Sequence, residues 1–399
     1  EEHKVPAGEP VEGWGWNQDY FTDDPAMPTR QLLDQVSTVH PVLFTRACGH
    51  VMVCNTLALE KAGVWENPPV VEGGQFDLEA DGHPNGIVRE SSAQEIVKQA
   101  ILPEENEEKM EEILAAAMGY AASHGLTSVQ TNDVAGENYE TMLRVYDKLL
   151  HEKKSLRVYM QCCLMEKELF QRFLNDGHRT GTGDEWLKIG PLKLFTDGSL
   201  GARTALMRQD YADEPGTRGI STLSQEDLDG LVALAEENKM QVAVHAIGDK
   251  ACEMTLLALK RAHDANPRPW DEVRFRLTHC SLINDNIIAL LREMPMLIDM
   301  QPGYVSTNIH WSDERVGKRA PFLFAWKTLM GLGQRLCGSS DLPCENLNPL
   351  VGVYAVETRS GYDGYLPEGW QPQERLTRYE AVSLYTKNPA YASFEEDLK

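Results

Sequence analysis

The 399-residue sequence contains no long hydrophobic run and no excess of positive charge. No apolar stretch approaches the roughly 18 residues that a membrane-spanning helix needs. The 38 Lys and Arg residues stand against 61 Asp and Glu residues, which gives a net charge of −23. Such a surface repels nucleic-acid phosphates and anionic lipid head groups. We therefore expect neither nucleic acid nor a membrane among the partners of this chain.

Several sequence motifs are also absent. The eight cysteines show no Cys-x-x-Cys spacing, and there is no Asn-x-Ser/Thr acceptor. This use of cysteine fits a reducing cytoplasm better than an oxidising compartment, so we expect a cytoplasmic protein. The chain also lacks the Gly-x-Ser-x-Gly elbow of serine hydrolases, the Gly-x-Gly-x-x-Gly fingerprint and the Walker loop. Nucleophilic α/β-hydrolases and nucleotide-binding folds are therefore disfavoured.

From about residue 107 onward, helical and strand patterns alternate. Strands are predicted at 127–131, 156–164, 191–195, 242–245, 275–279, 296–301 and 336–341, and helices at 107–124, 139–151, 251–263, 285–292, 322–332 and after Ser224. Alternation of this kind implies parallel strands joined by right-handed crossovers. We count seven strand–helix steps, one fewer than a closed eight-stranded (β/α)₈ barrel of the TIM type requires.

The first hundred residues do not follow this alternation. They are rich in Gly, Pro, Trp and acidic residues, with one clear strand at 41–45 and a small helix at 55–62. We predict that 1–106 form an α+β insertion or cap over the barrel mouth. Residues 107–399 then form the barrel, an α/β fold in which strands two to eight are present.

Four predicted strands end at or near a residue that can take part in metal chemistry: Lys193, His245, His279 and Asp341. In (β/α)₈ barrels the chemistry lies at the C-terminal face, on residues drawn from several strands. Histidine nitrogen and carboxylate oxygen are ligands for zinc and neighbouring transition metals. A lysine ammonium is not a ligand, so Lys193 fits only if CO₂ converts its amine to a carbamate. A bound metal would activate water, and Asp341 could accept the proton.

Each of these residues also has a purely structural interpretation. A histidine at a strand end is often a hydrogen-bonded core or rim residue. Asp341 precedes Leu-Pro and could simply begin a turn, and Lys193 could extend along the barrel wall to solvent. The joint placement of four such residues on four strands favours the functional interpretation over four separate coincidences.

Five segments together resemble the amidohydrolase superfamily, in its family 3, YtcJ-like branch of metal-dependent hydrolases. They are LKLFTDGSLGAR (192–203), VHAIGD (244–249), RLTH (276–279), MQP (300–302) and GSSDLP (338–343). The resemblance extends to GWGWN (13–17), Arg46, GH (49–50), Asn55 and GIVRE (86–90).

The resemblance implies hydrolysis of a non-peptide C–N bond in a small amide, formamide or cyclic amide by metal-activated water. Lys193 is then the carbamylated bridging lysine, His245 and His279 are ligands of the second metal, and Asp341 is the last ligand and the catalytic base. Zinc is the first candidate, with one or two ions bound. The same resemblance implies that His50, Asp197, Ser199 and Arg203 line or brace the substrate pocket.

The sequence departs from this family in one respect that concerns the metal site. The family normally opens with a His-x-His on strand one, and none of the eleven histidines forms such a pair. We therefore expect a piece that lacks strand one and the flanking β-sandwich, with an incomplete first metal site. Exposed sheet edges would favour self-association. The alternative interpretation is a catalytically silent barrel fragment that serves as a scaffold or interaction surface.

Overall fold

A computed structural model describes residues 5–103, 106–153 and 155–398. The strands are β1 Val11–Trp16, β2 Val42–Arg46, β3 Val51–Cys54, β4 Gln75–Leu78, β5 Pro84–Arg89, β6 Ser128–Ala135, β7 Arg157–Cys163, β8 Leu187–Phe195, β9 Val242–Ala246, β10 Arg276–His279, β11 Leu297–Met300 and β12 Arg335–Gly338.

The helices alternate with the later strands. They are α1 Arg30–Val36, α2 Thr56–Lys61, α3 Glu90–Ile101, α4 Glu107–Ser123, α5 Tyr139–Lys153, α6 Lys167–Asn175, α7 Gln225–Glu237, α8 Asp249–Ala265, α9 Trp270–Val273, α10 Asp285–Glu293, α11 Gly303–Asn308, α12 Ser312–Val316, α13 Trp326–Gly331, α14 Pro349–Thr358, α15 Arg378–Ser383 and α16 Lys387–Ala392.

Side-chain caps fix the starts of several helices. The Asn55 side chain accepts a hydrogen bond from the Ala58 amide at 3.0 Å at the start of α2. Ser224 accepts one from the Asp227 amide at 3.1 Å at the start of α7. Each cap satisfies a backbone donor that the first helical turn leaves unpaired. The sequence prediction of a helix after Ser224 is confirmed.

The seven strands β6 to β12 form one parallel sheet in sequential order, with β6 and β12 at its edges. The sheet curls into a half-barrel, and all seven predicted strands are present. Its central strand β9 is buried along its whole length. Among the described residues this sheet has no eighth strand.

Three details of the prediction are wrong. The last strand ends at Gly338 and does not reach Asp341, and the helix predicted at 322–332 is confined to α13. The first hundred residues hold five strands, not one, in a mixed sheet of order β1-β2-β3-β5-β4. These short strands pair across long sequence separations, so no local periodicity marks them.

The chain divides into two units. The first contains residues 1–104, 197–206 and 216–222, and the second contains 105–196, 207–215 and 223–399. The core of the first unit packs the mixed sheet against helices through residues that include Met52, Leu59, Val88 and Val97. The placement of 1–106 as a cap stays a prediction. Of the described helices, none combines the length and the apolar character needed to cross a bilayer.

Candidate metal centre

Three of the predicted ligands lie at the C-terminal ends of neighbouring strands in the second unit. Lys193 is the third-last residue of β8, His245 the second-last of β9 and His279 the last of β10. All three side chains are buried, with 2–4% of each residue exposed. The parallel pairing of β8, β9 and β10 therefore brings a lysine and two histidines to one end of the sheet.

The backbone at His279 turns its side chain towards His245. Thr278 is the register partner of His245, so strict alternation would direct His279 to the opposite face of the sheet. Instead His279 adopts a left-handed conformation with φ of +73°, and the two rings lie 4.4 Å apart between centroids. A non-glycine residue at positive φ is strained, and such strain is frequently found at functional sites.

The tautomer of His279 is determined by Gln301. The two groups are joined by a 2.5 Å hydrogen bond between His279 Nδ1 and Gln301 Oε1. Gln301 Nε2 donates to the Asp299 carbonyl and to Ser339 Oγ, each at 3.0 Å. This network identifies Oε1 as the acceptor for the ring, so Nδ1 carries the proton and Nε2 keeps its lone pair.

His279 and Lys193 are both shifted towards their neutral forms. Burial, reinforced by His245, lowers the pKa of His279 to about 3. Burial lowers the pKa of Lys193 to about 8, against the opposing influence of the Asp341 carboxylate. The Lys193 ammonium lies 4.5 Å from the centre of the Phe195 ring. A larger neutral fraction makes the lysine amine more nucleophilic towards CO₂.

Asp341 lies three residues beyond β12, in an exposed turn. It has a φ of +52°, and Tyr304 Oη donates a 2.9 Å hydrogen bond to its Oδ2. Although the residue as a whole is exposed, the surrounding protein atoms partly desolvate its carboxyl and raise the pKa, but His279 and the Tyr304 hydroxyl outweigh that effect and hold the pKa below its ordinary value. Asp341 is therefore a carboxylate at neutral pH.

A divalent metal needs more donors than the two histidines provide. No group of three or more His, Cys, Asp or Glu side chains among the described residues is arranged to hold a metal ion. The His245 and His279 rings nevertheless lie 4.4 Å apart between centroids, and the buried Lys193 nearby has a lowered pKa. A carbamate on Lys193 would add the oxygen donors that this set lacks, so the residues fit a divalent cation.

The four predicted substrate residues all lie in the first unit. His50 Nδ1 pairs with Glu90 Oε2 at 2.7 Å. Asp197 and Ser199 are buried, and Asp197 Oδ2 accepts a hydrogen bond from the Leu206 amide at 2.8 Å. Arg203 is half-buried, with a φ of +57°. Their role as pocket residues stays a prediction.

Two residues that contact the candidate ligands, Gln301 and Tyr304, have no predicted role. Gln301 orients His279, and Tyr304 bonds Asp341 and lies parallel to the His279 ring at a centroid distance of 6.3 Å. Gln301 lies in the MQP segment, which could have drawn attention to it. Tyr304 lies on α11, and nothing in the local pattern distinguishes it from other surface tyrosines.

A buried ion pair lies on the adjoining strands. Arg276 Nε donates to Asp299 Oδ2 at 2.8 Å, and both residues are at least 95% buried. Both charges influence the pKa of Lys193. Arg276 opens β10 and Asp299 is the third residue of β11, so this buried ion pair begins at the N-terminal end of β10, three residues before His279.

Two known proteins are similar in sequence to nearly the whole of this chain. YtcJ of Bacillus subtilis (strain 168), named as an amidohydrolase, is 32% identical over 398 residues, which cover 99% of this chain and 73% of that protein. The N-substituted formamide deformylase of Arthrobacter pascens is 23% identical over 98% of this chain and 71% of its own length.

A crystal structure of an uncharacterized metal-dependent hydrolase from Pyrococcus horikoshii OT3 aligns over 98% of this chain and 74% of that chain. The alignment has a TM-score of 0.74 and 28% sequence identity. The model of the amidohydrolase family matches residues 1–399. The sequence prediction of the family is thereby confirmed, and this chain belongs to the amidohydrolase family.

Proposed function

We propose that this chain carries the reaction centre of a metal-dependent hydrolase for non-peptide C–N bonds. The observation that carries the proposal is the pairing of His245 with His279 at 4.4 Å, beside a buried lysine of lowered pKa. Family membership and the resemblance to a metal-dependent hydrolase support hydrolysis in general. The formamide-cleaving relative supports an amide, formamide or cyclic amide as the small-molecule substrate.

His245, His279 and a carbamylated Lys193 would hold the divalent ion, with Asp341 as a further ligand. A bound ion supplies Lewis acidity, which makes water more acidic and a carbonyl carbon more electrophilic. Zinc suits this donor set best, because two imidazoles and carboxylate-type oxygens are its usual ligands. Whether one or two ions bind depends on donors beyond these four residues.

The protein residues then handle the protons. Asp341 is ionised at neutral pH and can accept a proton from the attacking water. Tyr304 occupies Oδ2 of Asp341, so Oδ1 is the atom on which that proton would reside. The same group can return the proton to the leaving nitrogen, because an amine leaves poorly as an anion. Gln301 fixes the proton of His279 on Nδ1, which leaves the lone pair of Nε2 available to bind the metal ion.

A second candidate is a catalytically silent scaffold. It is favoured by the absence, among described residues, of any three-membered His, Cys, Asp or Glu metal cluster. The strained backbone of His279 and the buried Lys193 argue against it, because a scaffold gains nothing from either. We also propose a cytoplasmic location, since none of the eight cysteines forms a disulfide.

Metal content and carbamate formation test the proposal directly. The purified chain is dialysed with zinc and ¹³C-bicarbonate, and its metal content and ¹³C carbamate signal are measured. We expect about one metal per chain and one carbamate carbon, with both lost in Lys193→Ala. Lys188→Ala is the matched control, because Lys188 lies on the same strand but pairs with Glu395. Absence of metal from the unaltered chain would favour the scaffold.

A further inference from the structure

The turn that carries Asp341 is fixed to α11 at two points. At the first, Tyr304 Oη donates to Asp341 Oδ2 at 2.9 Å. At the second, Thr307 Oγ1 donates to Glu345 Oε1 at 2.5 Å. Tyr304 and Thr307 lie three residues apart on α11, so their side chains share one face of the helix. The two hydrogen bonds therefore join one helix face to both ends of the segment 341–345.

The segment between these two bonds is itself closed. The Cys344 amide donates to the Asp341 carbonyl at 2.8 Å, which closes a four-residue turn from 341 to 344. Glu345 follows this turn directly. Because the hydrogen bond ties the two ends of the turn together, the position of Glu345 constrains the position of Asp341.

Glu345 depends on a single donor. Among the residues that the structure describes, only Thr307 donates a hydrogen bond to the Glu345 carboxyl. The Thr307 hydroxyl also lies 3.3 Å from the Gly303 carbonyl and 3.3 Å from Asn308 Oδ1, so its contact with Glu345 is the shortest of the three. A Cβ atom at Gly303 would lie 2.7 Å from Glu345 Oε2. The glycine therefore lets the carboxyl pack directly on the start of α11.

The backbone of Asp341 needs contacts of this kind. Its φ of +52° is strained for a residue other than glycine, and such a conformation persists only where the surrounding structure enforces it. Burial does not enforce it here, because Asp341 is exposed. The bond to Tyr304 and, through the turn, the bond between Glu345 and Thr307 are the contacts that hold Asp341 in this conformation.

The negative charge of Glu345 is not required for this contact. Burial raises the pKa of Glu345 to about 7, against the opposing influence of the Thr307 hydrogen bond. A carboxyl group can accept a hydrogen bond in either protonation state. A glutamine side chain carries an acceptor oxygen at the same position. Glu345→Gln therefore separates the hydrogen bond from the charge.

We propose that Glu345 is a positioning residue for Asp341. This inference rests on the proposed function, in which Asp341 accepts and returns the proton. Glu345 holds Thr307 and thereby keeps the turn where Tyr304 reaches Asp341, and it takes no part in binding the substrate. Misplacement of a reacting group by about 1 Å costs on the order of 10²-fold in rate. Loss of this bond should therefore lower kcat and leave KM unchanged.

Steady-state kinetics on an amide or formamide substrate, with metal analysis of the same samples, test the inference. We expect Glu345→Ala and Thr307→Val each to lower kcat by about tenfold or more, with KM and metal content unchanged. The double variant should lose no more than either single variant, because both changes remove the same bond. Glu345→Gln and Thr307→Ser keep the bond and should recover most of the loss. Glu368→Ala, at an exposed position, is the matched control.

Hydrogen exchange of the Cys344 amide gives a second measurement that needs no turnover. This amide closes the turn, so its exchange rate in D₂O reports how often the turn opens. We expect several-fold faster exchange in Glu345→Ala and in Thr307→Val than in the unaltered chain, Glu345→Gln or Thr307→Ser. Absence of turnover in the unaltered chain would count against the proposed function alone, and the exchange rates would still decide whether Glu345 holds the turn.

Three results would overturn the inference. The first is a normal kcat in Glu345→Ala, even if its unfolding midpoint is lower, because the bond would then stabilise the fold without positioning Asp341. The second is an unchanged exchange rate of the Cys344 amide in both Glu345→Ala and Thr307→Val. The third is an equal loss of kcat in Glu345→Gln and Glu345→Ala, because the charge of Glu345 would then matter and not its hydrogen bond.

Discussion

The rings of His279 and His245 meet in a T-shaped contact, with 4.4 Å between their centroids and an interplanar angle of 73°. This relationship depends on the left-handed backbone of His279, because regular alternation would separate the two side chains across the sheet. Burial, reinforced by His245, lowers the pKa of His279 to about 3, so this ring is neutral at pH 7. The contact between the two rings is therefore a product of the backbone conformation at His279.

Asp341→Asn should abolish turnover and leave bound metal largely in place. The amide is nearly isosteric with the carboxylate but cannot accept a proton, so we expect kcat to fall by about 10²–10⁴-fold. Steady-state kinetics on an amide or formamide substrate, with metal analysis of the same sample, measure both effects. Asp363→Asn, on an exposed loop, is the control. Normal turnover in Asp341→Asn would exclude the proposed role.

Tyr304→Phe should lower kcat by less than Asp341→Asn does. The substitution removes one hydrogen bond to Asp341 Oδ2, and a hydrogen bond to a charged group contributes about 1.5–3 kcal/mol. We therefore expect a roughly tenfold or somewhat larger loss in kcat, with metal content unchanged. Tyr354→Phe, on α14, controls for loss of a hydroxyl. Equal activity of the two variants would remove Tyr304 from the site.

The His50–Glu90 pair should make folding stability depend on pH. The folded-state pKa of His50, about 9, exceeds the ordinary value of 6.5. The imidazolium therefore stabilises the native state fully below about pH 6.5, and this contribution is lost as pH rises through about 9.

Glu90→Gln should thus reduce the free energy of unfolding at pH 6 by on the order of 2 kcal/mol, and by less at pH 9.5. Urea titrations at the two pH values measure the difference. Glu95→Gln lies on the same helix at an exposed position and should show no such dependence. A loss for Glu90→Gln that is equal at both pH values would contradict the electrostatic explanation.

The open edges of the seven-stranded sheet should promote self-association. Strands β6 and β12 each have a partner on one side only among the described residues, and unpaired edges recruit other strands. We expect sedimentation velocity to show a species larger than one 44.7 kDa chain. Asn132→Lys, at an exposed position of β6, should shift the distribution towards monomer. Glu140→Lys on α5 should not, and a compact monomer in the unaltered chain would contradict the prediction.

The seven parallel strands, the positions of Lys193, His245 and His279 on them, and the family could all be predicted from the amino-acid sequence. Hydrophobic periodicity and helix caps such as Ser224 involve residues only a few positions apart, so strands and helices can be recognised from the local sequence pattern. Sequential strand order then brings the strand ends to one edge. The mixed sheet of the first unit was missed, because its short strands are paired by residues far apart in the chain.

The contacts between the functional side chains could not be predicted from the sequence. The orientation of the His279 ring depends on the left-handed backbone at that residue. Its hydrogen bond to Gln301 and the contact between Tyr304 and Asp341 depend on packing between residues that lie far apart in the sequence. The same holds for the turn between β2 and β3, where Arg46 lies against Gly201 and His50 pairs with Glu90. Periodicity reports which face of a strand is buried, whereas distances between functional groups are set by contacts that no local pattern encodes.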